Sequence, residues 1–121
     1  MAEIPTWEGF LRPVLTVMAD GKVRNRREIN DAVAREAKLT PENIAETLSS
    51  GQPKYANRIG WGLSFMANVG ALERAARGQY RITNAGRNVL DKFPDGIFEK
   101  DFAQLAEDPT TGISAYATTA K

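Results

Sequence analysis

Apolar residues recur at two spacings along this chain, and the change from one to the other marks its centre. Between residues 55 and 69, Ile59, Leu63, Met66 and Val69 fall three or four apart, the stripe of a helix with one face turned to a core. Gly70 follows, where a residue free to take the left-handed conformation ends a helix. Beyond it the period drops to two. In Gln79-Tyr80-Arg81-Ile82, Tyr80 and Ile82 share one side and Gln79 and Arg81 the other, as in a half-buried strand. Residues 72–74 predict its partner, and the link over 75–78 ends on Gly78, suited to a turn position of positive φ. A helix running into a hairpin is the second half of a winged helix.

The same patterning orders the rest of the chain. Residues 6–20 predict a first helix capped by Thr6, with Phe10, Val14, Leu15 and Met18 inward and Ile4 extending that face. Pro13 removes a hydrogen bond from such a helix, so it predicts either a kink or a start near Arg12. Asp20-Gly21 closes the segment, and residues 22–24 predict a short strand against the hairpin. Asn25 and Glu28 have capping-box spacing for a second helix over 26–37, with Ile29, Val33 and Ala37 inward. Thr40-Pro41-Glu42 opens a further helix that should bury Ile44 and Leu48. The turn-rich residues 49–54 then deliver the chain to the central helix. Thr83 caps another helix to about residue 93, with Val89 and Leu90 inward and Pro94-Asp95-Gly96 closing it. Phe98, Phe102 and Leu105 predict a short acidic helix whose apolar face packs on the domain or on a neighbour, and residues 110–121 read as a flexible tail or linker. The expected fold is therefore α+β and mainly helical. A winged helix-turn-helix with a short antiparallel sheet occupies residues 1–94, and an acidic helical extension with a tail occupies 95–121.

Composition narrows the chemistry. A chain of 121 residues, 42% hydrophobic and 26% charged, suits one domain with a modest core. It holds no cysteine and no histidine, which removes disulfides, thiolate ligands, the commonest metal ligand and the commonest general base. Zinc chemistry and Ser-His-Asp catalysis are excluded on this chain, and no metal or cofactor is expected. No apolar run approaches the roughly 20 residues that span a bilayer, and the opening lacks the features of an export signal. The expectation is a cytoplasmic protein with no membrane partner.

Charge is distributed unevenly. Between residues 49 and 87, Lys54, Arg58, Arg74, Arg77, Arg81 and Arg87 face Glu73 alone, a net +5 within a chain of net +1. Such polarity suits a phosphate backbone. Lys54, Asn57, Arg58, Trp61, Ser64, Phe65 and Asn68 lie off the apolar stripe, on positions a major-groove helix uses; arginine pairs with guanine and asparagine with adenine. Arg58 has a rival role as a solvated charge or an ion-pair partner of Glu28 or Asp31, Asn57 as a cap or bridge for the preceding loop, and Trp61 as packing against the first helix. Arg77, at the hairpin tip, is placed to enter a minor groove or grip phosphate. Gln79 and Arg81 face the same solvent, and Arg24, Arg26 and Arg27 open the second helix, where N–H groups and cations together suit a phosphate. Trp61, Phe65 and Tyr80 are the aromatics available to a flipped base.

Several runs carry a resemblance: Ser50-Gly51-Gln52-Pro53, Asn57-Arg58-Ile59-Gly60-Trp61, Gly70-Ala71-Leu72-Glu73-Arg74, Arg77-Gly78-Gln79-Tyr80-Arg81-Ile82-Thr83 and Gly86-Arg87, with Ile4-Pro5-Thr6 and Ala19-Asp20-Gly21 before them. In this order, over about residues 4–90, the chain resembles the N-terminal domain of Mrr-type restriction endonucleases. The resemblance implies a winged helix that docks a larger enzyme on double-stranded DNA bearing methylated bases. It also implies a separate PD-(D/E)xK-type nuclease domain beyond a linker, for which these residues leave no room, so the chain itself is expected to bind and not to cleave. Two other readings stay open: a winged helix for protein contact, with the acidic helix as partner surface, and a stand-alone transcription regulator. Either is compatible with a homodimer.

Overall fold

The first helix resolves the problem of Pro13 by starting late. In the computed structural model, which describes residues 4–116, a 3-10 turn over Glu8–Phe10 leads into α1, Leu11–Met18. Pro13 thus lies in the first helical turn, where the missing N–H has no intrahelical partner to lose. No kink is needed, and Thr6 Oγ1 accepts from the Gly9 N–H at 3.3 Å. Phe10, Val14, Leu15 and Met18 are fully buried, and Ile4 joins them.

The next strand, β1, is Arg24–Asn25, later than expected. The Lys22 N–H donates to Asp20 Oδ1 at 3.0 Å, which holds residues 20–22 as a turn and leaves Val23 exposed. Helix α2, Arg26–Glu36, begins with its capping box complete: Asn25 and Glu28 exchange side-chain-to-backbone hydrogen bonds, each of 2.9 Å. Helix α3, Pro41–Ala45, has the same device between Thr40 and Asn43. Here one expectation fails: Ile44 is 41% exposed, and Leu48 is only half-buried. The helix ends by Ala45, so Leu48 never joins its face, and the capping box turns Asn43 inward in place of Ile44.

The central helix, α4, is Lys54–Val69, and its stripe of Ile59, Leu63, Met66 and Val69 is buried. Gly70 ends it with φ +95°. Strands β2, Leu72–Ala76, and β3, Gln79–Ile82, follow, joined at Arg77-Gly78 with φ +71° at Gly78. The turn is shorter than the link read from the sequence because β2 continues to Ala76 through an irregularity after Arg74. Strand β3 is central, antiparallel to both β1 and β2, with Tyr80 opposite Arg24 on one side and Arg74 on the other. Tyr80 and Ile82 point into the core while Gln79 and Arg81 face out, as the alternation predicts.

Helix α5, Asn84–Lys92, is capped by Thr83, whose hydroxyl accepts from Gly86 N–H at 3.0 Å and donates to the Gly70 carbonyl at 2.6 Å. One side chain thus joins the end of α4, the end of the hairpin and the start of α5. Helix α6, Glu99–Leu105, lays Phe102 and Leu105 into the same hydrophobic cluster as α1 and α4, together with Ile97 and Ile113. Its apolar face packs on the domain, the first of the two alternatives, although Phe98 at its start stays exposed. The segment read as a tail is ordered at its beginning: Pro109–Thr111 form a 3-10 turn and Ser114 N–H donates to the Val69 carbonyl at 2.9 Å. Its last residues, 117–121, lie outside the described residues. The result is a mainly helical α+β fold in a winged-helix-like order, α1-β1-α2-α3-α4-β2-β3, with helical elements after it.

Candidate nucleic-acid interface

Opposite the buried stripe of α4, residues Asn57, Trp61, Ser64 and Asn68 follow one another at helical spacing on the outward face. Trp61 is 63% exposed, so the role of packing against α1 does not belong to it. Gly62, one position and about 100° further round, is buried where an added Cβ would touch Leu11 and the Trp7 carbonyl, and the helix phase that puts it there turns Trp61 to solvent. The packing tryptophan is Trp7, edge-on to Phe65 at 5.3 Å.

Around Trp61 the chain forms a polar cleft of about 270 Å³ lined by Arg26, Gln52, Asn57, Gly60, Trp61 and Ser64. Its parts come from the start of α2, the loop before α4 and two turns of α4 itself. Asn57 Nδ2 donates to Gln52 Oε1 at 3.3 Å, as the loop-bridging role anticipates. The Arg26 guanidinium lies across Gly60, and its Nη2 donates to the Ala56 carbonyl at 3.3 Å. A Cβ at position 60 would stand 2.7 Å from that nitrogen, so the absent side chain is what seats the arginine. Arg26 Nε and Asn30 Oδ1, one helical turn apart on α2, are buried without a hydrogen-bond partner. Four expected residues, Arg26, Asn57, Trp61 and Ser64, therefore meet in one place. Gln52 and Gly60 were not singled out as site residues, although both stand in runs that carry the family resemblance.

The remaining cations divide into held and free. Arg58 is half-buried and its Nη1 donates to the Ile4 and Pro5 carbonyls at 3.1 and 2.9 Å, and neither Glu28 nor Asp31 pairs with it. It fastens the segment before α1 to the flank of α4. Lys54 pairs with Glu46 at 3.0 Å, at the start of α4. Arg24 makes a two-pronged bridge to Asp20, both contacts at 2.8 Å. That guanidinium holds the Asp20 carboxyl far below the usual carboxylate range, and the carboxylate in turn raises Arg24 above its ordinary value. Arg81 pairs with Glu73 across the hairpin, Nε to Oε2 at 2.7 Å. Arg74 lies 5.6 Å over the Tyr80 ring. Arg77 and Gln79 stand exposed at the hairpin tip, and Arg77 and Arg27 have no ion-pair partner among the described residues. The outward surface of α4 thus offers amide, hydroxyl and guanidinium groups beside an open indole, with an unpaired arginine on the wing. Among the described residues there is no group of three or more acidic side chains disposed to hold a metal, and no helix long and apolar enough to cross a membrane.

Fold and surface together define a winged-helix-like domain whose longest helix displays a polar, tryptophan-bearing face. The profile of the Mrr N-terminal domain matches residues 7–92, and the chain belongs to that family. A curated relative, the type IV methyl-directed restriction enzyme EcoKMrr of Escherichia coli (strain K12), is 29% identical over 106 residues. The match covers 85% of this chain but 34% of the relative, so the chain spans about a third of that enzyme's length. No solved structure gives a significant match.

Proposed function

We propose that this domain binds double-stranded DNA through the outward face of α4 and the tip of the hairpin. In this reading it recognises targets for a Mrr-like restriction system directed at modified DNA, with cleavage residing in a nuclease domain outside these 121 residues. The observation that carries it is the convergence of Arg26, Asn57, Trp61 and Ser64 on one cleft along the helix that a winged helix lays against DNA. Family membership and a relative named as methyl-directed give that surface its context. The domain contributes binding and no catalysis, and it acts in the cytoplasm, where incoming DNA is met.

Each group has a part suited to its position. Arg77 reaches phosphate or the minor groove from the wing, and Gln79 touches the backbone beside it. Lys54, Arg24 and Arg81 exchange exposed carboxylate partners for phosphates, an exchange that costs little because such surface pairs are weak. Arg58, already hydrogen-bonded to two carbonyls, supports the helix from behind. Titration on matched duplexes, unmodified, cytosine-methylated and adenine-methylated, at two salt concentrations tests the reading. The expected result is a log–log salt slope of about −0.9 per phosphate neutralised, with tighter binding to a modified duplex. Salt-independent or absent duplex binding would refute it. A protein-contact role draws on exposed Phe98 and the acidic start of α6, and a stable homo-oligomer indifferent to DNA would favour it.

A further inference from the structure

Sharing Trp61 and Ser64 with the polar cleft is a second cavity of about 280 Å³, lined by Trp7, Trp61, Ser64, Phe65, Glu99 and Tyr116. Four of these six are aromatic. Phe65, nearly buried, is the hub: Trp7 meets it edge-on at 5.3 Å and Tyr116 stacks on it at 5.5 Å with rings 17° apart. Glu99 is exposed at the start of α6, its own N–H donates to Glu8 Oε2 at 2.9 Å, and its carboxylate has no basic partner among the described residues. Trp61 and Ser64 belong to both cavities, so this one opens beside the surface assigned to the duplex. Tyr80 is no part of it; that ring is buried under Arg74.

We propose that this cavity receives a single methylated base bearing an exocyclic amine, rotated out of the duplex that α4 reads. The inference rests on the DNA-binding reading above and specifies which chemistry makes that binding modification-dependent. Aromatic faces stack on any base, and apolar walls favour a base that carries an added methyl group over one that does not. A carboxylate accepts a hydrogen bond from cytosine N4 or adenine N6 and repels the carbonyl that thymine or guanine carries at the corresponding position, so those two would have to turn a ring N–H to it instead. The Ser64 hydroxyl donates or accepts as required. The same carboxylate repels phosphate, so the cavity suits a neutral base and not the backbone. Trp61, which lines both the cavity and the duplex-facing cleft and is largely exposed, is the side chain to fill the gap that the departing base leaves in the stack.

The cavity contains its own reporter, because both tryptophans of the chain line it. The 121-residue chain is titrated by tryptophan emission with duplexes carrying one methylated cytosine or adenine, with unmodified controls, and with the methylated base opposite a mismatch. Occupancy predicts stronger quenching by the modified duplexes and about tenfold tighter binding to the mismatched one, whose unpairing is already done. Glu99→Ala and Tyr116→Ala, both at exposed positions off α4, should each reduce the preference for modified over unmodified duplex about fivefold or more, and reduce affinity for the unmodified duplex far less. Equal affinity for modified and unmodified duplexes, with no gain from the mismatch, overturns the proposal and leaves duplex binding standing. Absence of any duplex binding overturns both. Quenching by a trimethyllysine peptide but not by modified duplex overturns it in favour of a cage for methylated ammonium.

Discussion

At the scale of single residues, the decisive variable is where each side chain points on α4. Arg58 and Arg77 carry the same charge and, in the sequence, the same expectation, yet one is bonded to two backbone carbonyls and the other stands free. Arg58→Ala should therefore strip half-buried carbonyls of a charged donor and lower stability by about 1–2 kcal/mol, read as a lower thermal midpoint and faster exchange near Ile4. Arg77→Ala should leave the midpoint unchanged, weaken duplex binding and reduce the salt slope by about 0.9. A variant of Arg58 that binds poorly at full stability would mean that the clamp is misassigned. Gly60→Ala separates the two properties differently. Alanine in a helix interior is favoured over glycine by about 1 kcal/mol, but its methyl displaces the Arg26 guanidinium, whose flexible end can move away. Stability should hold or rise while duplex binding falls; unchanged affinity would remove Arg26 from the interface. The helix stripe in the sequence identified Asn57, Trp61, Ser64 and Asn68 as outward but wrongly set Phe65 with them; that ring is buried between Trp7 and Phe102. What it left open was Trp61, whose size argues for the core while its phase argues for solvent, and the phase prevails because Gly62 occupies the contact with α1.

At the scale of elements, the features legible in advance were those encoded by local chemistry: the capping box of α2, the glycine stop of α4, the period-two strand and the Thr83 cap. The features that were not legible lack such a code. A five-residue helix such as α3 has no second turn from which to read a face, and β1 is too short to show alternation. The junction of hairpin and α5 adds a constraint visible only in three dimensions. A Cβ on Gly86 would lie 2.2 Å from the Ala71 carbonyl oxygen and 2.9 Å from Ile82 Cγ1. The Ala71 oxygen also accepts hydrogen bonds from the Thr83 N–H and hydroxyl, so it cannot retreat without breaking the joint. Gly86→Ala should destabilise by about 2–3 kcal/mol, despite alanine's better helix propensity, and denaturant unfolding of the variant checks it. A neutral effect would show that α5 is free to slide against the hairpin.

At the scale of the whole molecule, the charge asymmetry was visible in the sequence, but its partition into paired and unpaired groups was not, because ion pairs join residues that only the fold brings together. Glu73, the partner of Arg81, is already subtracted in the formal +5, but Lys54 pairs with Glu46 outside the segment, so the +5 overstates by one the unpaired charge presented to a polyanion. The same inventory fixes the response to pH. With no histidine and no cysteine, no side chain has an ordinary titration range between pH 5 and 8, so stability and duplex binding should both be flat from about pH 6 to 8. Asp20 supplies part of the acid limb, beside Asp108, whose carboxyl is lowered by its hydrogen bonds with Thr110. The Asp20 carboxyl is held below the ordinary value of 3.8 by the Arg24 guanidinium, so its contribution is complete above that value and is lost as pH falls below it toward the lower value of the folded state. Arg24, raised above its ordinary value by the Asp20 carboxylate, stays charged and loses nothing in the physiological range. Because the pair is largely exposed, the loss should be no more than about 0.5 kcal/mol, a small part of any acid unfolding. Denaturant midpoints measured from pH 3 to 8 should thus form a plateau with a shoulder below about pH 4, and Asp20→Asn should remove its part of that shoulder by lowering the plateau by the same small amount. An inflection near pH 6.5 would contradict this, since it requires a carboxyl lifted far above its ordinary range, which neither Asp20 nor its hydrogen bonds can supply.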